Sequence, residues 1–404
     1  MSLPPSPASP REIPIATAAI IPIAAALFAV LPYSTDVYLT VMVDLGREFG
    51  VGVAGAQRTM LAFTLGFGLA HLVIGEFADR FGRRPTAIVG IGLYCAASIV
   101  AAAAPSLEIL VAARFLQGMA AASGPILSRT LIRDAIAPDH AGRALAKIGA
   151  YGAIAPLTAP LIGTLAALLG GWRAAVAFLA LYGAVLTLAL WRRLPETRPR
   201  EIRDGARISI RRALARLLRH RAFLAGAAAL ACGYGMLLTW LSTSAFLLIG
   251  ALGMSKLEAS AIYVLGSAGY LAGSLIAMRL ARGFSPIGIL RTASLLLLLG
   301  AAAPTLALAE GYRHWAVILA CVLPFYVGWG LAQPMAIAIA MRPFADMAGQ
   351  ASAWLGLAQQ LGGIALSLLA AAYGGGMATP LVMGVGALGF AACAFAPQRA
   401  AART

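Results

Sequence analysis

Uninterrupted apolar runs of about 18 residues or more recur from one end to the other of this 404-residue chain. No other feature constrains the fold as tightly. A hydrocarbon core about 30 Å thick is crossed by about 20 apolar residues of helix. Inside it no water satisfies the backbone, so only helices or closed barrels can span. The runs are continuous and do not alternate with period two, which selects helices. Only 11% of residues are charged, against roughly 25% in soluble domains, and the mean hydropathy is +0.85. The sequence therefore predicts an all-α integral membrane protein.

Twelve spans are expected, at about 14–45, 57–78, 85–104, 107–131, 144–169, 173–192, 221–250, 257–281, 286–309, 313–341, 346–372 and 375–396. One connection is long, residues 193–220, and it separates an N-terminal six-helix bundle (14–192) from a C-terminal one (221–396). Short tails, 1–13 and 397–404, complete the chain. The first lacks a basic region before its apolar run, so it reads as a disordered tail and not as a cleaved signal. Of the 31 Lys and Arg residues, only Arg47, Arg58, Arg173, Lys256 and Arg313 fall on the side opposite the termini, and Arg114 lies inside a span. That asymmetry puts both termini in the cytoplasm. It also accounts for the net charge of +16 without nucleic acid.

The turns FADRFGRRPTAIVG and RLARGFSPIGILRTA occupy matching places after spans 2 and 8. Two six-helix halves related as a parallel repeat place a binding site near the midplane between them. Within the long connection, Arg207 to Arg221 is amphipathic and is expected to lie on the inner leaflet through Ile208, Ile210, Leu214, Leu217 and Leu218. Cys95, Cys232, Cys321 and Cys393 stand in separate runs and read as free thiols.

Charge inside a span costs roughly 2.5–3.5 kcal/mol on insertion scales, so each instance is a candidate pathway residue. Asp36 lies in VLPYSTDVYL of span 1. It is either a coupling carboxylate or the outer boundary of a shorter span. Arg114 lies in LVAARFLQG of span 4, and an Asp36–Arg114 pair is a hypothesis. GEFADRFGRRP (Gly75–Pro85) reads as a tight basic turn, with Gly82 at the bend and Pro85 at N1 of the next helix. Asp79 is placed to meet another helix's N-terminus. Pro156, Pro160 and Gly163 in span 5 suit a hinge or ordinary close packing. His71 in span 2 faces either a cavity or a helix neighbour. GVGALG (Gly384–Gly389) has no preceding strand and reads as helix packing. No Walker motif, metal cluster or nucleophile elbow stands out, so neither a cofactor nor enzymatic chemistry is implied. The second half contributes Tyr234, Trp240, Tyr263, Tyr270, Tyr326, Trp329, Gln333, Trp354, Gln359 and Gln360, a set suited to an apolar, aromatic pocket.

These motifs together resemble the major facilitator superfamily over nearly the whole chain. GEFADRFGRRP is similar to its signature between helices 2 and 3, with Gly75, Asp79, Arg80, Gly82, Arg83 and Arg84 in place and Glu76 and Phe77 departing from the commoner residues. STDVYL, RFLQG and IAPLTAPLIG resemble the helix-1, helix-4 and helix-5 motifs of the bicyclomycin/chloramphenicol-resistance branch of twelve-helix drug:proton antiporters. Thr40 replaces a usual proline, Ala159 a usual glycine, and His71 a common glutamine. LIRDAIAP and FADMAGQASA resemble the branch's helix 4–5 turn and helix-11 entry. The resemblance implies a bacterial inner-membrane location and proton coupling through Asp36 and Arg114. It also implies a cytoplasmic charge network joining Arg83, Asp134 and Asp346.

The resulting expectation is proton-coupled efflux of small amphipathic or lipophilic compounds by a monomer in the bilayer. Substrate contacts are expected from Tyr33, Asp36, His71, Gln117, Tyr234, Trp240 and Gln333. The alternatives are a dedicated exporter of one metabolite (an amino acid, peptide or siderophore) and a non-transporting membrane sensor.

Overall fold

The computed structural model describes residues 14–136, 147–148, 151–152, 154–198, 210–373 and 375–395. Every regular element among them is helical. The N-terminal half contains α1 (Pro14–Leu39), α2 (Met42–Glu48), α3 (Val53–Ala70), α4 (Ile74–Phe81), α5 (Arg83–Ala102), α6 (Leu107–Ala121), α7 (Ser123–Ala135) and α8 (Ile154–Arg193). After a short α9 (Ile210–Leu218) come α10 (Arg221–Ala245), α11 (Lys256–Leu280), α12 (Pro286–Ala309), α13 (Trp315–Met341), α14 (Ala348–Ala372) and α15 (Thr379–Phe395).

Ten of the described helices are long and apolar enough to cross a membrane, or up to eleven if the bent pair α3–α4 is one span. The 40-residue α8 is long enough for two crossings, which is consistent with the expected twelve. As one rod it would be about 60 Å long, twice the hydrocarbon thickness. Gly170 and Gly171 leave helical geometry, the latter at φ 66°, and divide it into two arms. The expected spans 5 and 6 are these arms.

Local chemistry sets the ends. Ser255 and Glu258 form a reciprocal capping box at α11. Ser285 accepts from Gly288 N at 3.1 Å, with Pro286 in the first turn of α12. The 47° bend between α3 and α4 falls at His71–Val73. There the His71 ring donates from Nδ1 to Phe67 O at 2.8 Å, while the His71 backbone N–H turns to Gly68 O. The side chain thus competes for the carbonyl that would continue the α-helix.

One expectation changes. The helix after the basic turn starts at Arg83, so Pro85 sits in its first turn and not at N1. Pro156 and Pro160 both lie in the first arm of α8. The amphipathic stretch docks in part on protein: Ala213 and Leu217 are fully buried and α9 packs on α10 and α14, while Leu218 is exposed. Arg216 approaches Met347 Sδ at 3.7 Å and the Phe344 ring at 5.8 Å. The side chains of Ile208 and Ile210 lie outside the described residues. GVGALG lies within α15, where Gly386 and Gly389 pack on Cys232 of α10, as a packing motif requires.

The halves meet along two seams, α3 against α14 and the first arm of α8 against α11. Gly163 matters to this arrangement. A Cβ there would stand 2.3 Å from Val37 O, so only glycine lets α8 lie against the backbone beside Asp36.

Candidate functional site

Asp36 is 8% exposed and lies inside α1, with buried Val37, Tyr38, Leu39, Val41 and Met42 beyond it. Its Oδ1 accepts from Thr35 Oγ1 at 2.7 Å. Across the seam its charge acts on the hydroxyls of Tyr234, Tyr263 and Tyr326, on three helices of the other half. Tyr263 is bonded to Ser244 at 2.9 Å, and Gln360 stands beside Tyr234. Among the described residues Trp240 Nε1, Tyr326 Oη and Gln360 Oε1 make no well-formed hydrogen bond, although Trp240 neighbours Tyr326 and Gln360 neighbours Tyr234. The Asp36 site is thus lined by loosely bonded polar groups of the second bundle.

Arg114 does not pair with Asp36 in this structure, contrary to the pairing hypothesis. It is fully buried, with its guanidinium between the Tyr38 ring at 4.3 Å and the Phe63 ring at 4.4 Å. Nη1 donates to Gln117 Oε1 at 2.5 Å, and Nη2 to Ser34 O at 3.2 Å. Gln117 in turn donates to Ser98 Oγ at 2.6 Å. Gln117 is thus fully buried and engaged, and positions Arg114 where a substrate contact was expected. Arg114 reaches Asp36 only through the α1 backbone, two residues away at Ser34.

At one end of the bundle Arg83, 1% exposed, donates from Nε to Asp134 Oδ2 at 2.9 Å and from Nη1 to Asp79 Oδ1 at 2.5 Å. Gly82 turns the chain at φ +107°, a conformation side chains other than glycine's rarely adopt. Glu196 accepts from Arg83 N at 2.9 Å and Arg84 N at 3.2 Å, capping the positive start of α5. Arg84 donates to Trp191 O at 2.8 Å, and Arg198 to Arg80 O at 3.0 Å. The connection after the sixth span is thus bound to the motif. Gly75 has open space around it. The side chain of Asp346, expected in this network, lies outside the described residues.

The opposite end is closed across the seam. Gln57 Nε2 donates to Ser242 Oγ at 2.8 Å and Ser367 O at 2.9 Å. Thr164 and Ser260 hydroxyls meet at 2.7 Å, and Lys256 forms an ion pair with Asp44. All the polar bonds between the two bundles among the described residues lie at this end. Nearby, Glu48 binds Arg173 and accepts from Trp172 Nε1 at 2.6 Å. The Arg173 and then the Trp172 hydrogen bonds hold its carboxyl below its ordinary value.

The other candidates divide. Tyr270 donates to Gln333, joining α11 to α13. Tyr33 turns into its own bundle, 3.3 Å from Thr158 Oγ1 and 5.0 Å ring to ring from Tyr182, away from the seam where it was expected. Trp329 packs on Gly233 inside the second bundle. The sequence reading missed Gln57, Ser242 and Glu196.

Two bundles meeting at a buried acid, tied at one end, define a polytopic carrier rather than an enzyme. Residues 24–367 match the Major Facilitator Superfamily. The chain is 30% identical over 345 residues to multidrug resistance protein D of Escherichia coli, covering 85% of this chain and 86% of that one. It is 30% identical over 353 residues to E. coli multidrug resistance protein MdtL, covering 86% and 87%. Among solved structures, a D-xylose-proton symporter superposes with a TM-score of 0.75 at 16% identity, over 93% of this chain and 97% of that one. An inward-facing bacterial homologue of the lysosomal transporter Spinster gives 0.70 at 15% identity, over 95% and 94%. This chain belongs to the major facilitator superfamily and is a multi-pass membrane transporter.

Proposed function

We propose that the protein exports small amphipathic or lipophilic compounds, antibiotics among them, in exchange for protons. One observation carries this reading: a buried carboxyl, Asp36, without a cationic partner among the described residues, facing tyrosine hydroxyls of the opposite bundle. A carboxyl that alternates between a dry, cation-free site and a wet one takes up and releases a proton. A seam tied at one end supplies that alternation when the ties move to the other. The names of the 30%-identical relatives, multidrug resistance proteins, support the cargo class. The protein acts as a monomer in the bacterial inner membrane, with both termini and the Arg83 network cytoplasmic, a reading that the distribution of basic residues supports. On that reading the tied end is periplasmic.

Asp36 receives its proton from the periplasm and yields it to the cytoplasm, and cargo competes for the same site. Arg114, held on the Ser34 carbonyl, keeps a positive charge close behind that acid. The test uses inverted vesicles with an acid interior, a pH-sensitive dye, and amphenicols, bicyclomycin-like compounds and cationic dyes. Compound-triggered proton release is expected from wild type and is expected to vanish in Asp36→Asn. An unchanged mutant response would sink the role of Asp36. Silence from wild type with every compound would favour a dedicated metabolite exporter.

A further inference from the structure

The short α9 reaches α10 through an elbow of two residues, Arg219 and His220. Its fully buried residues are Ala213 and Leu217. At 3.6 residues per turn the opposite face carries Arg211, Arg212, Ala215 and Leu218, and all four are exposed. Arg219 and Arg221, at the elbow, are exposed too. Among the described residues none gives Arg211, Arg212, Arg219 or Arg221 an ion pair. The sequence holds no acidic residue between Asp204 and Glu258. The basic face therefore has no counter-charge of its own.

The elbow rests on a joint of the second bundle. Between α13 and α14 the chain passes through a 3₁₀ segment, Arg342–Met347, where Phe344 leaves helical geometry at φ −126° and ψ 38° and is 1% exposed. Around the Phe344 ring stand the His220 ring at 5.2 Å, the Phe223 ring at 5.8 Å and the Arg216 guanidinium at 5.8 Å. They come from the elbow, the first turn of α10 and α9. A 3₁₀ stretch set into helix often marks a hinge, and α14 forms one of the two seams, against α3.

The span beginning at Arg221 puts the elbow and α9 at the membrane surface. The apolar side of α9 is largely spent on protein, so the arginines are what it offers to the headgroups. Guanidinium forks match phosphate oxygens bidentately. Each arginine close to an anionic leaflet strengthens attachment about fivefold. We propose that the exposed arginines of α9 and its elbow dock on anionic phospholipid headgroups, and that a headgroup held there pins the elbow onto Phe344 at the α13–α14 joint. The lipid then steadies a hinge of the second bundle, whatever cargo the protein carries.

The test is hydrogen–deuterium exchange of the full chain in nanodiscs of phosphatidylcholine alone or with phosphatidylglycerol. Phosphatidylglycerol is expected to slow amide exchange about tenfold in two separate segments, 210–224 and 342–348. The double variant Arg211→Gln/Arg212→Gln is expected to lose most of that protection. Arg279→Gln/Arg282→Gln, which removes two exposed arginines elsewhere in the second half, is expected to keep it. Equal exchange in both lipids, or equal loss in both variants, overturns the docking face. Protection confined to 210–224 overturns the link to Phe344. Protection produced as well by glycerol 3-phosphate added to neutral discs would assign the arginines to a soluble anion and overturn the lipid face.

Discussion

Two arginines are fully withdrawn from solvent in the first bundle, and they are accommodated in opposite ways. Arg83 is bracketed by two carboxylates, Asp79 and Asp134. Arg114 has no acid in contact and is held by two aromatic faces, an amide and a backbone carbonyl. A charge matched by opposite charges is a clamp, whose removal leaves its partners stranded. A charge held by rings and dipoles leaves no ion behind when it goes, and its field stays available to neighbours. The first arrangement suits a joint between helices, and the second suits a group that acts on Asp36 from behind.

Replacing each arginine by a residue without charge breaks the comparison most sharply. Arg83→Met leaves Asp134, whose side chain is 4% exposed, with only the 3.5 Å contact to the exposed Arg133, and removing one partner of a buried pair costs about 3–5 kcal/mol. A large fall in thermal midpoint of the detergent-solubilised protein is expected. Arg83→Lys is expected to recover little, because an ammonium cannot span Nε and Nη1 as the fork does. Arg114→Met strands no acid. It loses two cation–π contacts of up to about 2 kcal/mol each when desolvated, against the relief of a buried, unmatched charge. The melt is expected to move by about 1 kcal/mol or less, while compound-triggered proton release is lost. Equal destabilisation by both variants would erase the distinction drawn between them.

A smaller effect separates the tied end from the open one. Gln57→Leu removes the bonds to Ser242 and Ser367 O, worth about 1–2 kcal/mol together. That is enough to shift the arrangement several-fold toward one open at the Asp44–Lys256 end. Spin labels or cysteine accessibility on α3 and α10 are expected to report the shift, with little change in the Arg83 network.

The membrane-spanning helices, the burial of Asp36 and Arg114 and the turn at Gly82 were legible because each is written in composition: apolar length, a charge where none belongs, a glycine at a turn. Partners were not legible, because they depend on how each helix is rotated. Asp36 and Arg114 sit in neighbouring helices, yet Arg114 turns toward Tyr38 and Phe63. Gln117 and Gln333 look alike in sequence, and one is sealed inside a bundle while the other bonds across α11 and α13. Amphipathicity marked the stretch around α9 correctly as two-faced. It carried no information on whether that face would meet lipid or the second bundle.

The smallest effect tests whether an exposed pair behaves as the buried clamp does. Glu48 and Arg173 join α2 to the second arm of α8 near the tied end, with side chains 43% and 41% exposed. The carboxyl is held below its ordinary 4.5 by the Arg173 hydrogen bond first and the Trp172 bond second. A depressed carboxyl contributes stability in full above its unfolded value, and that contribution is lost as pH falls through the folded value. The expected loss therefore begins near pH 4.5 and grows below it. Solvent screening keeps it within the range of about 0–1 kcal/mol seen for surface pairs. Glu48→Gln is expected to flatten the melt's pH dependence in that window and to leave pH 7 transport unchanged. A drop in the mutant's melt as deep as that of Arg83→Met would show that the exposed pair is a clamp after all, and that charge matching rather than burial sets the cost of losing an arginine's partner.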